Sequence, residues 1–296
     1  MLANLDNEVH FKKVFTDVEV FTAFVKDVLG IEMHIDKVET EKMLDAKVSA
    51  IRFKMDLFAE DKEKRIVVEI QKVDYDYTYD RFSHYFLANI ILTQRNSRTY
   101  SFDQEVYVIV VVTSRYKIRD IKGELIDKDI LVTDINPRTI LNEMVPMTSH
   151  KMVIINTASP NVNTPPEILD WIDFIRESIQ NPATPHINTA KPAIAKAAQL
   201  AEREELDPEE LAESKIQEMR KDMVSFLKTQ ATEEVTQKVT EEVTQKVTEE
   251  VTEEINRKHI IQAIKRGKLT TKEIAEDFEV SIDYVQQLVN EIQQQN

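Results

Sequence analysis

Seven apolar residues in a row, VYVIVVV at Val106–Val112, leave this 296-residue chain few ways to fold. The run is far too short to span a bilayer, and its β-branched content marks a strand buried in a core. Upstream, KVSAIRFKMDLFAED (47–61) and KRIVVEIQK (64–72) alternate or run apolar around a charged turn, the pattern of two antiparallel strands in a hairpin. Between that hairpin and the apolar run, residues 75–95 turn to helical spacing, with Phe82, Tyr85, Phe86, Ala88, Asn89 and Leu92 as neighbours across turns. A helix set between such strands implies a crossover back onto the same sheet, so the core is α/β.

The flanks extend this reading. Phe11, Val14, Phe15, Val18, Phe21, Phe24, Val25 and Val28 recur at three- and four-residue steps ahead of Gly30, predicting one amphipathic helix with a glycine stop. Further strands are expected at Asp129–Ile135 and Lys151–Asn156. A helix then starts at PPEILDWIDFIRES with prolines in its first turn, and Trp171 anchors it onto the core.

Composition removes whole classes of chemistry. With no cysteine and three glycines, the chain has no disulfide scaffold, cysteine-based metal site, thiol nucleophile or glycine-rich nucleotide loop. Six histidines show no HxH or HExxH spacing, which removes the usual zinc patterns. No apolar leader opens the sequence and no run is long enough for a membrane span, so a cytoplasmic protein in a reducing compartment is expected.

The net charge of −15 is unevenly placed: residues 201–296 carry 13 basic and 23 acidic side chains, whereas residues 1–120 carry 18 and 21. The N-terminal part therefore has room for a local basic contact with a polyanion. Four segments follow: a globular domain at 1–180, a linker at 181–192, a helical oligomerisation segment at 193–257 and a small module at 258–296. In the third, TEEVTQKV occurs at Thr232–Val239 and Thr240–Val247 and returns as TEEVTEEI at Thr248–Ile255. Its apolar residues fall every fourth position and wind right-handed around a helix, which fits either a homo-oligomer built through a coiled coil of this hand or a solvated spacer. The last module has helix-turn-helix spacing at Ile274, Ala275, Phe278, Val280, Val285 and Leu288. Glu279 sits where such turns want glycine, and the helix from Ser281 has no Lys or Arg, which favours a structural or protein-contact role over DNA reading.

The chemistry-bearing residues lie on the hairpin. Glu69 and Gln71 are two apart on a strand and share a face, and Asp56 on the preceding strand is in a position to face them across the turn. Charged residues within an otherwise apolar strand need a reason. The spacing alone leaves two readings: Asp56 and Glu69 as ordinary edge-strand carboxylates, or the two converging with the Ile70 carbonyl into a hard-oxygen site suited to Mg2+ first, and to Mn2+ or Ca2+. Such an ion activates water and neutralises charge developing on a scissile phosphate.

EVHFKKVF (Glu8–Phe15), MDLFAED (Met55–Asp61), VVEIQK (Val67–Lys72) and DRFSHY (Asp80–Tyr85) occur in an order and spacing that resembles the PD-(D/E)xK nuclease family transposases, over roughly residues 5–180. The resemblance implies a restriction-endonuclease-like core, a mixed sheet flanked by helices, followed here by a long helical C-terminal tail. It also implies metal-dependent cleavage of DNA, linked to transposition or recombination. By that resemblance Asp56 is the motif aspartate, Glu69 the second acidic residue, Gln71 the position that carries lysine in the wider superfamily, and Glu8 the acidic residue of the first helix. Arg81 and Tyr85, one turn apart, are the DNA contacts that the resemblance implies; Lys72, which strand alternation turns away from Glu69 and Gln71, is a further candidate contact with DNA. Met55 replaces the motif proline, and Gln71 is neither a cation nor a base, so water activation falls to metal and carboxylate. The competing reading is a catalytically inactive, oligomeric DNA- or protein-binding regulator on the same fold.

Overall fold

In the computed structural model, residues 1–44, 53–71, 79–94, 101–113, 118–126, 128–159, 162–202 and 207–294 are described. They form two compact units, Met1–Lys221 and Asp222–Asn296.

The first unit is built on a six-stranded mixed sheet. Its strands are β1 (Glu39–Leu44), β2 (Phe53–Glu60), β3 (Lys64–Gln71), β4 (Glu105–Val112), β7 (Ile130–Asp134) and β8 (Lys151–Asn156), with β5 (Ile118–Arg119) and β6 (Leu125–Ile126) forming a separate small hairpin. The spatial order is β1-β2-β3-β4-β8-β7. β3, β4 and β8 are parallel and central, whereas β1, β2 and β7 pair antiparallel at the flanks. The β2–β3 hairpin, the crossover to β4 and the strands at 130–134 and 151–156 stand as the periodicity predicts.

Helices cover both faces, because the central strands are apolar on both. Ile66, Val68 and Ile70 of β3 face a core shared with α1 (Glu8–Phe15), α2 (Val18–Leu29), α4 (Pro166–Gln180) and α5 (Pro192–Leu200). Val67 faces the opposite core, closed by Phe82, Phe86 and Ile90 of α3 (Tyr79–Leu92). On the first face Trp171 is 1% exposed, packs edge-on to Phe24 at 5.3 Å between ring centroids, and donates its indole N–H to Asp27 Oδ2 at 2.7 Å. The buried ring thus keeps its one polar atom satisfied. Ile194 and Ala197 of α5 are fully buried in the same core.

Two features differ from the periodicity. The expected single helix over residues 11–28 is two. Thr16 Oγ1 donates to the Lys12 carbonyl and closes α1, and Asp17 accepts the N–H groups of Glu19 and Val20 and starts α2. Side-chain capping breaks the chain there while the apolar spacing runs on. Strand β1 had no alternating signal: ETEKML is an edge strand with four polar residues in six.

The second unit is helical. It holds the part of α6 (Pro208–Arg266) beyond Lys221, then α7 (Thr271–Asp277) and α8 (Ile282–Gln294). Ile260, Ile274, Ala275, Val285 and Leu288 make its core, with Phe278 and Val280 packed against them. Thr270 and Glu273 form a capping box at the start of α7. Glu279 turns the chain between α7 and α8 with φ 51°, a left-handed conformation that glycine adopts without cost.

Candidate active site

The site arises where the β2–β3 ladder stops being a ladder. Backbone pairing runs from Glu60↔Arg65 to Leu57↔Val68. One step further, side chains take over: Ile70 N–H donates to Asp56 Oδ2 at 2.9 Å, and Asp56 N–H donates to Glu69 Oε1 at 3.3 Å. Two carboxylates thus replace the carbonyls that a regular ladder supplies. A residue's N–H and C=O lie on the same side of its strand, so the Ile70 carbonyl also faces this opened margin. β2 twists here as well, since Met55 packs on the α3 side and Leu57 on the other. Across from Asp56, between the pairs Thr40↔Leu57 and Lys42↔Met55, Glu41 of β1 has φ 54°. A left-handed glutamate costs roughly 1 kcal/mol, strain held beside the carboxylates by the packing around it.

Helix α1 brings further charge to the margin. Asn7 caps α1 by accepting Val9 N–H, which places Glu8 in the first turn and Lys12 one turn on, along one face. The Glu8 charge acts on Asp56. Lys12 Nζ pairs with Glu8, lies 3.1 Å from Glu41 Oε1 and 3.8 Å from Asp56 Oδ1, and its side chain is 12% exposed. From the other face of the sheet, α3 presents Arg81 and Tyr85, with Arg81 Nη2 3.5 Å from the Tyr85 hydroxyl and the Arg81 charge acting on Glu69. Gln71 is buried on the same face as Glu69, and its carbonyl accepts Thr113 N–H at 3.1 Å. Thr113 Oγ1 in turn donates to Asp6 Oδ1 at 2.7 Å, tying the C-terminal ends of β3 and β4 to the segment that enters α1. A cleft of about 420 Å3 runs alongside, lined by Glu8, Lys12, Thr40, Glu41, Glu210 and Glu213 among others.

The electrostatics follow from this crowding. Burial and the neighbouring Glu8 charge push the Asp56 carboxyl up to about 6, against the pull of Ile70 N–H and Lys12. Burial and the Asp56 charge hold Glu69 well above the carboxylate range. Burial and Glu69 raise the Tyr85 hydroxyl, against Arg81. Burial alone would depress Lys12, but Glu8, Asp56 and Glu41 outweigh it and keep the ammonium protonated. Raised acids around what is, among the described residues, a single lysine mark a surplus of negative charge.

The structure brings Asp56, Glu69 and Ile70 of the hairpin to one margin, with Glu8, named from the resemblance alone, beside Asp56. Arg81 and Tyr85 flank Glu69, and Lys72 lies outside the described residues. Sequence reasoning missed Lys12 and Glu41. For Lys12 the four-residue step from Glu8 was the available signal; for Glu41 there was none.

Among the described residues, no three His, Cys, Asp or Glu side chains form a ready cage for an ion. The donor chemistry nonetheless suits a divalent cation: hard carboxylate oxygens from Asp56 and Glu69, a main-chain carbonyl, and buried negative charge that one more cation would relieve.

Residues 5–230 match a family model described as PD-(D/E)XK nuclease family transposase. The six-stranded mixed sheet flanked by helices agrees with the restriction-endonuclease-like architecture of that family. No curated protein and no solved structure matches the chain.

Proposed function

The chain belongs to the PD-(D/E)XK nuclease family transposases, and on that premise we propose that it is a divalent-metal-dependent DNA endonuclease acting in transposition or recombination. The observation that carries this reading is the convergence of Glu8, Asp56 and Glu69 at the point where the β2–β3 ladder opens. Asp56 and Glu69 are largely removed from solvent and repel one another, with Glu8 adding charge from the more open side; this costs stability, as expected where function requires it.

Asp56, Glu69 and the Ile70 carbonyl would hold the ion, Mg2+ first by its hard-oxygen preference. The ion would supply Lewis acidity at the scissile phosphate and a more acidic bound water. The protein's own groups orient the reaction. Ile70 N–H and Asp56 N–H lock the two carboxylates in place, so that the ligands are set before substrate arrives. Arg81 and Tyr85 stand on α3 beside Glu69, where a guanidinium and a phenol suit a phosphate. Gln71 contributes a neutral amide, able to orient water but not to deprotonate it. Glu8 adds a carboxylate beside Asp56 that can accept a proton from the attacking water.

In the second unit, Val235, Val239, Val243, Val247, Val251 and Ile255 stay about half exposed along α6, which supports pairing with a second copy of the chain through this stripe. Among the described residues no helix is long and apolar enough to cross a membrane. The lack of cysteine supports a reducing compartment such as the cytoplasm. Metal-dependent cutting of plasmid DNA that is lost on Asp56→Ala tests the nuclease assignment. Cutting that survives Asp56→Ala would move the site elsewhere.

A further inference from the structure

Lys12 is, with Glu41, a charged residue of the margin to which the motif residues named above assign no role. Its stem leaves α1 one turn after Glu8 and its ammonium sits among three carboxylates: Glu8 in direct contact, Glu41 Oε1 at 3.1 Å and Asp56 Oδ1 at 3.8 Å. Glu41 has a second partner in Lys54, 2.9 Å away, so its charge is largely met on the outer side. That leaves Glu8, Asp56 and Glu69, three carboxylates, with Lys12 as the one ammonium among them within the described residues and Arg81 acting on Glu69 from α3. One ammonium and one divalent ion together match the full charge of the three carboxylates, and the Arg81 guanidinium adds one further positive charge beside Glu69. Two divalent ions beside Lys12 and Arg81 would leave a larger excess of positive charge, part of it around the buried Glu69.

We propose that Lys12 is the resident cation of the site: it carries the charge that a second metal ion would otherwise bring, so that one divalent ion completes the cluster. That ion is also held more loosely than the carboxylates alone would hold it. The inference rests on the reading of Asp56 and Glu69 as metal ligands, but concerns ion number and affinity rather than cleavage. It also gives Gln71 a context. The cation that the wider superfamily carries on β3 is here provided from α1, by a residue anchored to Glu8 and Glu41 rather than free to swing.

The test is Mn2+ binding to the full chain, followed by electron paramagnetic resonance of the free ion and by calorimetry, with circular dichroism as the control for folding. The wild-type chain is expected to take up one Mn2+ and the Asp56→Ala variant none at the same concentrations. Lys12→Met and Lys12→Gln, which remove a positive charge a few ångströms from the ion, are expected to tighten binding by roughly tenfold or more. Lys12→Arg, which keeps the charge, is expected to stay near wild type. A side chain that merely propped up the fold would give the opposite sign, since loosening the site weakens the ion. Two Mn2+ ions or none in the wild type, or affinity unchanged or weakened in both neutral variants, would overturn the inference. The wild-type ion count stands even if a variant fails to fold. A wild type that binds one Mn2+ but cuts no DNA would retire the nuclease reading and leave this one intact, whereas cutting with unchanged affinity in the neutral variants would do the reverse.

Discussion

Replacing Asp56 by asparagine should stabilise the metal-free chain at neutral pH. The Asp56 carboxyl is pushed from an ordinary 3.8 up to about 6 by burial and by Glu8, so ionising it in the folded state is harder than in the unfolded chain. The sign follows from proton linkage: between those two values the folded state holds the extra proton, so stability falls as pH rises through that window and stays low above it. A shift of about 2 units corresponds to about 3 kcal/mol, the cost carried by the wild type at pH 7.5 and fading below pH 4. Asparagine keeps the shape and can still accept Ile70 N–H through its amide oxygen, while removing the charge that also raises Glu69. Lys12 loses one of its three carboxylate neighbours, which offsets part of the gain. The expected net is about 1–3 kcal/mol, or roughly 3–10 °C in melting temperature for a unit of this size. The assay is thermal unfolding in EDTA, wild type against Asp56→Asn, at pH 8, 6 and 4.5, with the advantage of the variant shrinking as pH falls. A variant less stable than wild type at pH 8 would refute the reasoning, because it would make Asp56 a structural anchor rather than a strained functional acid.

Elsewhere the packing sets the expectations. Trp171→Ala should cost about 3–5 kcal/mol, read from the urea midpoint, since a fully buried ring and its bond to Asp27 are both lost; a loss under about 1 kcal/mol would count against Trp171 as the anchor of α4. Glu279→Gly should stabilise the second unit by roughly 0.5–1 kcal/mol by relieving its left-handed backbone, seen as slower amide exchange at Ile274 and Val285, and faster exchange would contradict the strain. The double variant Val243→Asp, Val247→Asp should reduce the particle mass in light scattering to that of one chain; a mass equal to wild type would remove the stripe from the interface.

The central strands were readable because burial on both faces leaves a strand almost wholly apolar. In β4 and β3 that run is interrupted only by residues with a reason to be there, so Glu69 stood out against Val67, Val68 and Ile70. Asp56 became legible once the hairpin gave it a partner. The break between α1 and α2 was carried by two capping side chains, Thr16 and Asp17, while the apolar periodicity ran through both helices. β1 carried no pattern to read, and Glu41 came to the site only through strand pairing. Lys12 stands four residues after Glu8 on one helix, a spacing that by itself gives no role. Only the packing of α1 against β2 buries it and turns it toward Asp56, a tertiary fact that no local pattern contains.

The most direct test of the central claim is cleavage of supercoiled plasmid by the full chain at low salt, with Mg2+ or Mn2+ against EDTA, beside the folded Asp56→Asn variant. The account predicts nicking or linearisation that needs the metal and vanishes in Asp56→Asn even though that variant melts at a higher temperature. Cutting that persists in the variant, or a folded wild type that binds the ion and cuts nothing, would contradict it.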